Sequence, residues 1–387
     1  MLALVTKNIG VGNGASLSAL DVLVSLGQIE PDLALIHLYK NNLPQKLDGI
    51  KVNYTQSYLS PRSIELTNKA KLKWIGNRIT KPYLLNKLKA ISPKMTFINS
   101  MGSHSLWKPI KEKYNWSGTL IVRESPQLYN KSSFSTILKR FNYYENYIFV
   151  SDIVRKKWLE YNEVDEGKSF YIPNCVWEER VEKISQISKA KVKKKLFGGD
   201  GQFIAICTGE VKYRKGQDII IDNLKLICDL IPNFKLLLLG RQNQTFVKQL
   251  IKSLKKMVLE NKVEFISHQP NALEYIYAAD VLIQPSRSEA LPRTIMEAMA
   301  LKTPIIASDV DGIPELVEDD ISAILFPLSN INKMINGIHT IYSNKSFREK
   351  ITTNAFRRYW DYFSRRHHIQ KYTEFLEQIQ IPYAETR

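Results

Sequence analysis

The sequence predicts an α/β protein of two domains, each a parallel sheet with helices between its strands. Short apolar runs such as Val281–Ile283 and Ile305–Ala307 read as buried strands, and segments with helical spacing separate them. At 387 residues and 44% hydrophobic content, the chain exceeds what one compact core usually holds. The alternation of strands and helices also starts afresh at Gly201, after a lysine-rich stretch from Lys183 to Lys195.

In chain order, Met1 to Lys7 is a first strand, and the glycine-rich loop Ile9–Ser16 leads into a helix over Leu17–Leu26. Gly10, Gly12 and Gly14 miss the dinucleotide fingerprint, because the third glycine comes one position early. The loop either brings backbone close to a ligand or is a plain strand-to-helix turn that needs glycine. Leu33–Leu38 is a second strand. From Ser60 to Ile91 the chain carries Lys69, Lys71, Lys73, Arg78, Lys81, Lys87 and Lys89 around Leu72, Trp74 and Leu85. This stretch is either a basic amphipathic face for an anionic membrane or a pair of surface helices with solvated lysines. Met95–Ile98, Thr119–Val122, Asn146–Val150 and Phe170–Pro173 complete the first set of strands. His104 and Glu124 each follow one of these strands, at the sheet edge where ligands of open α/β folds gather. His104 is an acceptor-side residue or a loop histidine with no task; Glu124 is a candidate general base.

The second set comprises Phe203–Cys207, Leu236–Leu239, Val263–Ile266, Val281–Ile283, Ile305–Ala307 and Ser322–Phe326. Leu273–Ala279 and the stretch from Ile295 to Leu301 read as helices, and Ile331 onward is helical to the end.

A formal net charge of +17 leaves nucleic acid, an anionic membrane face and an anionic substrate open as partners. The SKAKVKKK run from Ser188 lacks interleaved aromatics, so it reads as a solvated helix face, and nucleic acid is not expected. No apolar run approaches the ~20 residues that span a bilayer, and Met1–Lys7 lacks the parts of a signal peptide. Cys175, Cys207 and Cys228 are odd in number and widely spaced, and the last two lie in apolar runs, so they read as small buried hydrophobes. The expected location is the cytoplasm, with peripheral contact to the inner face of the membrane through the Lys69–Lys89 region. None of the six histidines has metal-ligand spacing.

The most informative stretch runs from Val281 to Pro327. It holds Pro285-Ser286-x-x-Glu289, then Glu297-Ala298-Met299-Ala300, Pro304-Ile305-Ile306-Ala307, and Gly312-Ile313-Pro314-Glu315. Carboxylates at a strand's carboxyl end can accept hydrogen bonds from vicinal hydroxyls. Amides at the following helix start meet a diphosphate favourably at the positive end of the helix dipole. These anchors, in this order, resemble glycosyltransferase family 4, the retaining nucleotide-sugar-dependent enzymes of the GT-B fold. Resemblance extends over nearly the whole chain and is specific from about Phe203 to Pro327. Pro173-Asn174-Cys175-Val176 resembles the family's Pro-Asn-Gly-Val at the domain junction, with Cys in place of Gly. After the strand at Phe203, Lys215-Gly216 matches the family's Lys-Gly, while Glu210 stands at the family's Arg position.

The resemblance implies two Rossmann-like domains facing across a cleft: residues 1–175, a linker over 176–200, a nucleotide-sugar-binding domain over 201–345, and helices over 346–387 packing back toward the first domain. It implies transfer of a hexose, with retention, to a hydroxyl of a glycan or lipid-linked acceptor. Glu289 would touch the donor sugar, Glu297 the ribose, and the amides of Leu291, Arg293 and Thr294 the sugar and phosphates. Lys215 would neutralise the departing diphosphate, with Arg214 or Arg241 replacing the missing arginine. Gly14 would contact the donor phosphate or the acceptor. Arg123 stands where relatives often carry a histidine. Asp309-Val310-Asp311 reads either as a D-x-D metal site of another architecture or as a loop with Asp311 in the place of a turn glycine. The loop is preferred; the scheme requires no metal or other cofactor. Two further readings stay open: an enzyme that cleaves or isomerises a nucleotide-sugar without transfer, and a catalytically inactive membrane- or nucleic-acid-binding protein on the same scaffold.

Overall fold

The computed structural model describes residues 1–9, 14–30, 32–40, 52–56, 88, 92–199 and 201–382. The chain divides into two units, Met1–Asn174 with Arg365–Arg387, and Cys175–Ser364. Each is built on a sheet in which the paired strands all run parallel.

The first sheet contains β1 (Leu2–Ile9), β2 (Leu33–Lys40), β3 (Val52–Gln56), β4 (Met95–Asn99), β5 (Gly118–Val122), β6 (Asn146–Phe149) and β7 (Ser169–Tyr171). Their order across the sheet is β3-β2-β1-β4-β5-β6-β7. Strands β4 and β5 are buried along their whole length, as a sheet covered by helices on both faces requires. β3 is the strand that sequence patterning missed: VNYTQ is mostly polar, and an edge strand needs little apolar surface. The C-terminal helix Arg365–Gln378 belongs to this unit. Its Tyr372 and Phe375 meet Phe97 edge-on, and buried His368 lies 2.7 Å from the Ser25 hydroxyl on helix Gly14–Ile29.

The second sheet contains β8 (Phe203–Thr208), β9 (Phe234–Leu239), β10 (Val263–Ile266), β11 (Val281–Gln284), β12 (Ile305–Ser308) and β13 (Ile324–Phe326), in the order β10-β9-β8-β11-β12-β13. Its core is almost entirely aliphatic, with Ile306, Ile324, Phe326, Met334 and Ile338 packed together.

Three expectations need correction. Residues 176–200 are not a free linker, because helices Glu178–Ser185 and Lys189–Phe197 are part of the second unit. The C-terminal helices divide: Lys345–Tyr362 belongs to the second unit, and the chain returns to the first only at Arg365. Cys228 is half-buried, whereas Cys175 is fully buried alongside Cys207. Apart from Leu88, the Lys69–Lys89 segment lies outside the described residues. Among the described residues no helix is long and apolar enough to cross a membrane.

Candidate active site

Strand order locates the site before any side chain is considered. In the second sheet the chain starts at β8, moves out to β9 and β10, then returns to the other side of β8 at β11. Loops leaving β8 and β11 therefore diverge at a topological switch point, and a crevice opens outside their carboxyl ends. Lys215 lies on the first of these loops and Glu289 on the second.

The structure brings them together. Lys215 Nζ forms an ion pair with Glu289 Oε1, and Arg214 Nη1 lies 3.3 Å from Glu289 Oε2. The side chains of Lys215 and Glu289 are only 14% and 9% exposed, so this pair is largely withdrawn from water. Ser286 donates to Glu289 Oε1 at 2.9 Å, and the Gln284 amide donates to the Ser286 hydroxyl at 2.7 Å. Thr294 donates to the Gln284 carbonyl oxygen at 3.1 Å, which ties the helix start to the same network. Burial alone would raise the Glu289 carboxyl; Lys215 and Arg214 outweigh it and hold the group below the usual carboxylate range.

Backbone geometry explains the Lys-Gly pair. Gly216 has φ 71°, and a Cβ there would stand 1.9 Å from the carbonyl oxygen of Pro285 at the end of β11. Only glycine lets the β8 loop approach the β11 loop this closely. Arg287 fastens the two loops from outside. Its guanidinium donates to both Asp218 carboxylate oxygens, at 2.8 and 2.7 Å, and stacks 3.8 Å from the Tyr213 ring centre.

Asp311 has φ 45°, a left-handed conformation that aspartate tolerates and glycine adopts freely. Its Oδ2 accepts hydrogen bonds from the Ser288 hydroxyl at 2.6 Å and from the Glu289 backbone N–H at 3.1 Å. Gly312 N–H donates to the Glu289 carbonyl at 3.1 Å. The Asp311 carboxylate thus braces the Glu289 loop. No group of three potential metal-ligating side chains occurs among the described residues.

Helix Arg293–Ala300 begins after Pro292 and presents its positive end at Arg293 and Thr294. Leu291 is buried just before it. Arg293 Nη1 donates to the Cys175 carbonyl at 2.9 Å, and its Nε lies 3.8 Å from Glu297 Oε1, one turn along. Glu210, at the position where the family carries an arginine, pairs with Lys212 at 2.5 Å, so its charge is locally neutralised. Arg241 follows β9 with an exposed side chain.

In the first unit, Gly14 opens helix Gly14–Ile29 and Glu124 follows β5. Burial raises the half-buried Glu124 carboxyl, although its Oε2 accepts from the Arg123 N–H at 3.1 Å. Arg123 donates to Asn99 Oδ1 at 2.7 Å, to Asn174 Oδ1, and to the Ser18 backbone carbonyl at 3.4 Å, tying strand ends to the first helix. His104 is 8% exposed, lies 2.9 Å from the Tyr144 hydroxyl and packs edge-on against Tyr143. Burial, reinforced by Arg140 and Lys108, lowers its imidazole to about 4, so it is a neutral packed side chain near pH 7.

Sequence reasoning did not single out Gln284, Ser288, Arg287 or Asp218. The one local signal was Pro285-Ser286 at a strand end; the remaining contacts join residues far apart in sequence.

Residues 188–358 match the family described as glycosyl transferases group 1. An uncharacterized glycosyltransferase of Methanocaldococcus jannaschii is 27% identical over 235 residues, which is 59% of this chain and 55% of that protein. A lipopolysaccharide core biosynthesis mannosyltransferase of Rhizobium meliloti is 28% identical over 132 residues, covering 33% and 38%. The chain spans about half or less of the length of these curated relatives. Among solved structures, HepE of Anabaena in complex with UDP and glucose aligns with a TM-score of 0.77 at 17% identity, over 97% of this chain and 99% of that one. Sucrose-phosphate synthase of Thermosynechococcus elongatus aligns with 0.73 at 18% identity, over 98% of both chains. The second unit thus matches glycosyl transferases group 1 over residues 188–358, and the chain has the GT-B fold.

Proposed function

We propose that this protein is a retaining glycosyltransferase that moves a hexose from a nucleotide-sugar to a hydroxyl of a glycan or lipid-linked acceptor. The observation that carries the reading is the buried cluster of Lys215, Arg214 and Glu289 beside the start of helix Arg293–Ala300. Without a ligand, the carboxylate neutralises both cations. A diphosphate bound at the helix start would draw Lys215 and Arg214 toward its own charge. Glu289 would then be released to accept hydrogen bonds from hydroxyls of the donor sugar, still oriented by Ser286 and by its backbone bond to Asp311.

The leaving group is the centre of the chemistry. As the bond from the anomeric carbon to the diphosphate oxygen breaks, negative charge grows on the diphosphate. Lys215, Arg214 and the helix dipole are already in place to meet it, so little reorganisation is needed. Glu297 would accept from the ribose hydroxyls, with Arg293 holding its carboxylate. This scheme places the charge stabilisation on side chains and calls for no metal. Gly14 is assigned to the donor phosphate or the acceptor on resemblance, and Glu124 to the acceptor side from its place after β5. The nucleotide is proposed to be UDP, on the strength of the UDP complex of HepE.

The test is release of nucleoside diphosphate from a panel of UDP-, GDP- and ADP-sugars, with the anomeric configuration of the product read by NMR. An α-linked product from an α-configured donor supports retention; an inverted product contradicts it. A protein that binds anionic vesicles or RNA and neither binds nor turns over any donor would favour the binding-protein reading.

A further inference from the structure

Helix Lys189–Phe197 does not present the uniformly solvated lysine face expected from its sequence. Lys193 is 7% exposed, and its ammonium donates to both oxygens of Asp280 at 2.9 Å. This pair lines a cavity of about 400 Å³ whose walls also carry Lys189, Lys302, Arg348 and Glu349. Its volume falls in the range of small-molecule pockets.

The cavity lies at the opposite end of the second sheet from the cluster of Lys215 and Glu289. Asn233, Asp280 and Pro304 in its wall immediately precede β9, β11 and β12, so it sits at the amino edge. A six-residue strand such as β8 separates the two edges by roughly 20 Å.

Charge in the cavity is unbalanced. Asp280 is already committed to Lys193 and to the Ile204 N–H at 2.7 Å, and Glu349 leans toward solvent-exposed Lys345 at 3.7 Å. Lys189 makes no ion pair among the described residues, and it stands in the first turn of its helix, where the dipole disfavours a cation. Burial first, then Lys193 and Arg348, lower its ammonium to about 8, although Asp280 opposes the shift. Lys302 holds φ 53°, a backbone conformation that costs a lysine energy, and its ammonium rests 4.4 Å from the Phe356 ring centre. Arg348 donates to the carbonyls of Ile341 and Tyr342 at 2.5 and 3.4 Å.

We infer that this cavity is a second anion site, which binds a small phosphorylated molecule through Lys189, Lys302 and Arg348, away from the proposed donor site. A dianionic phosphate would relieve the crowding of cations that the fold maintains there. A pocket of small-molecule size, though open to solvent, suits a free metabolite better than a polymer or a bilayer.

Inorganic phosphate and pyrophosphate serve as probes, added at constant ionic strength while melting temperature and calorimetric binding are followed. Lys215→Ala, in which the donor edge is weakened, is expected to keep a phosphate response, and Lys189→Gln added to it to weaken that response about tenfold. Lys302→Gln gives a second variant should Lys189→Gln melt abnormally without phosphate. Absence of any response in the wild type overturns the inference. So does a response that disappears in Lys215→Ala and persists in Lys189→Gln, because the anion would then occupy the donor edge alone. Co-sedimentation with phosphatidylglycerol vesicles that is weakened by Lys189→Gln would identify a lipid headgroup as the source, against the small-molecule assignment.

Discussion

The two sheets have the same switch of strand order, and each places cations at its carboxyl edge, yet they use them differently. In the first unit, Arg123 hydrogen-bonds Asn99, Asn174 and the Ser18 carbonyl, neutral groups that belong to the fold itself. In the second, Lys215 and Arg214 face the carboxylate of Glu289. A buried ion pair is a balanced arrangement: each partner's desolvation cost is offset only while an opposite charge is near. An incoming anion can take the carboxylate's place on the cations, provided that hydroxyls of the donor then satisfy the buried Glu289 carboxylate. Arg123 is instead held at several points of the fold at once, with the Glu124 carboxylate beside it. In the proposed reading, one edge holds strand ends and the other trades a carboxylate for a phosphate.

The strongest way to break this contrast is Lys215→Ala. Loss of a charge that acts mainly as the diphosphate departs should lower turnover by about 10²–10³-fold, with a smaller change in KM. A rise in KM alone would remove Lys215 from leaving-group stabilisation. Next in size, Arg123→Ala should cost stability, about 2–3 kcal/mol in denaturant unfolding, because several buried groups lose a partner. Nucleoside diphosphate affinity should be unchanged; a parallel loss of affinity would show that the two edges are not functionally distinct. Glu297→Ala should weaken donor binding by about tenfold, near 1.4 kcal/mol, with turnover at saturation little altered. Unchanged affinity would take Glu297 out of the site.

The smallest effect concerns His104. Its imidazole is lowered from 6.5 to about 4 in the fold, so the unfolded chain binds a proton that the folded chain refuses. Stability from this group is full above pH 6.5 and declines as pH falls toward about 4. His104→Gln should flatten the stability profile across that window and leave the donor edge untouched. A variant with the same slope as wild type would assign the decline to other groups.

Much of the fold was legible because its strands are buried on both faces. Runs such as Leu236–Leu239 and Ile305–Ala307 have no other reading at that length. β3 was not, since VNYTQ at a sheet edge carries no apolar pattern. The break between the last two helices was also hidden, because aromatic and basic residues continue through Phe363 and Ser364 without a local stop signal. In the site, Glu289, Glu297 and Lys215-Gly216 were visible as motif positions. What holds them was not. The bond from Ser288 to Asp311 and the pairing of Arg287 with Asp218 join residues 23 and 69 positions apart, and only the fold makes them neighbours. The Lys193–Asp280 pair, 87 positions apart, turned an apparently solvated lysine run into the wall of a cavity by the same route.

The central claim is that a nucleotide-sugar docks at the carboxyl edge of the second sheet by displacing Glu289 from its cations. Thermal stabilisation by UDP-, GDP- and ADP-sugars, measured on wild type, Lys215→Ala and Arg123→Ala with and without EDTA, tests it most directly. The account predicts a shift selective for one nucleotide, unaffected by EDTA, modestly reduced in Lys215→Ala and preserved in Arg123→Ala. A shift of equal size in Lys215→Ala, or none in the wild type with any donor, would contradict it.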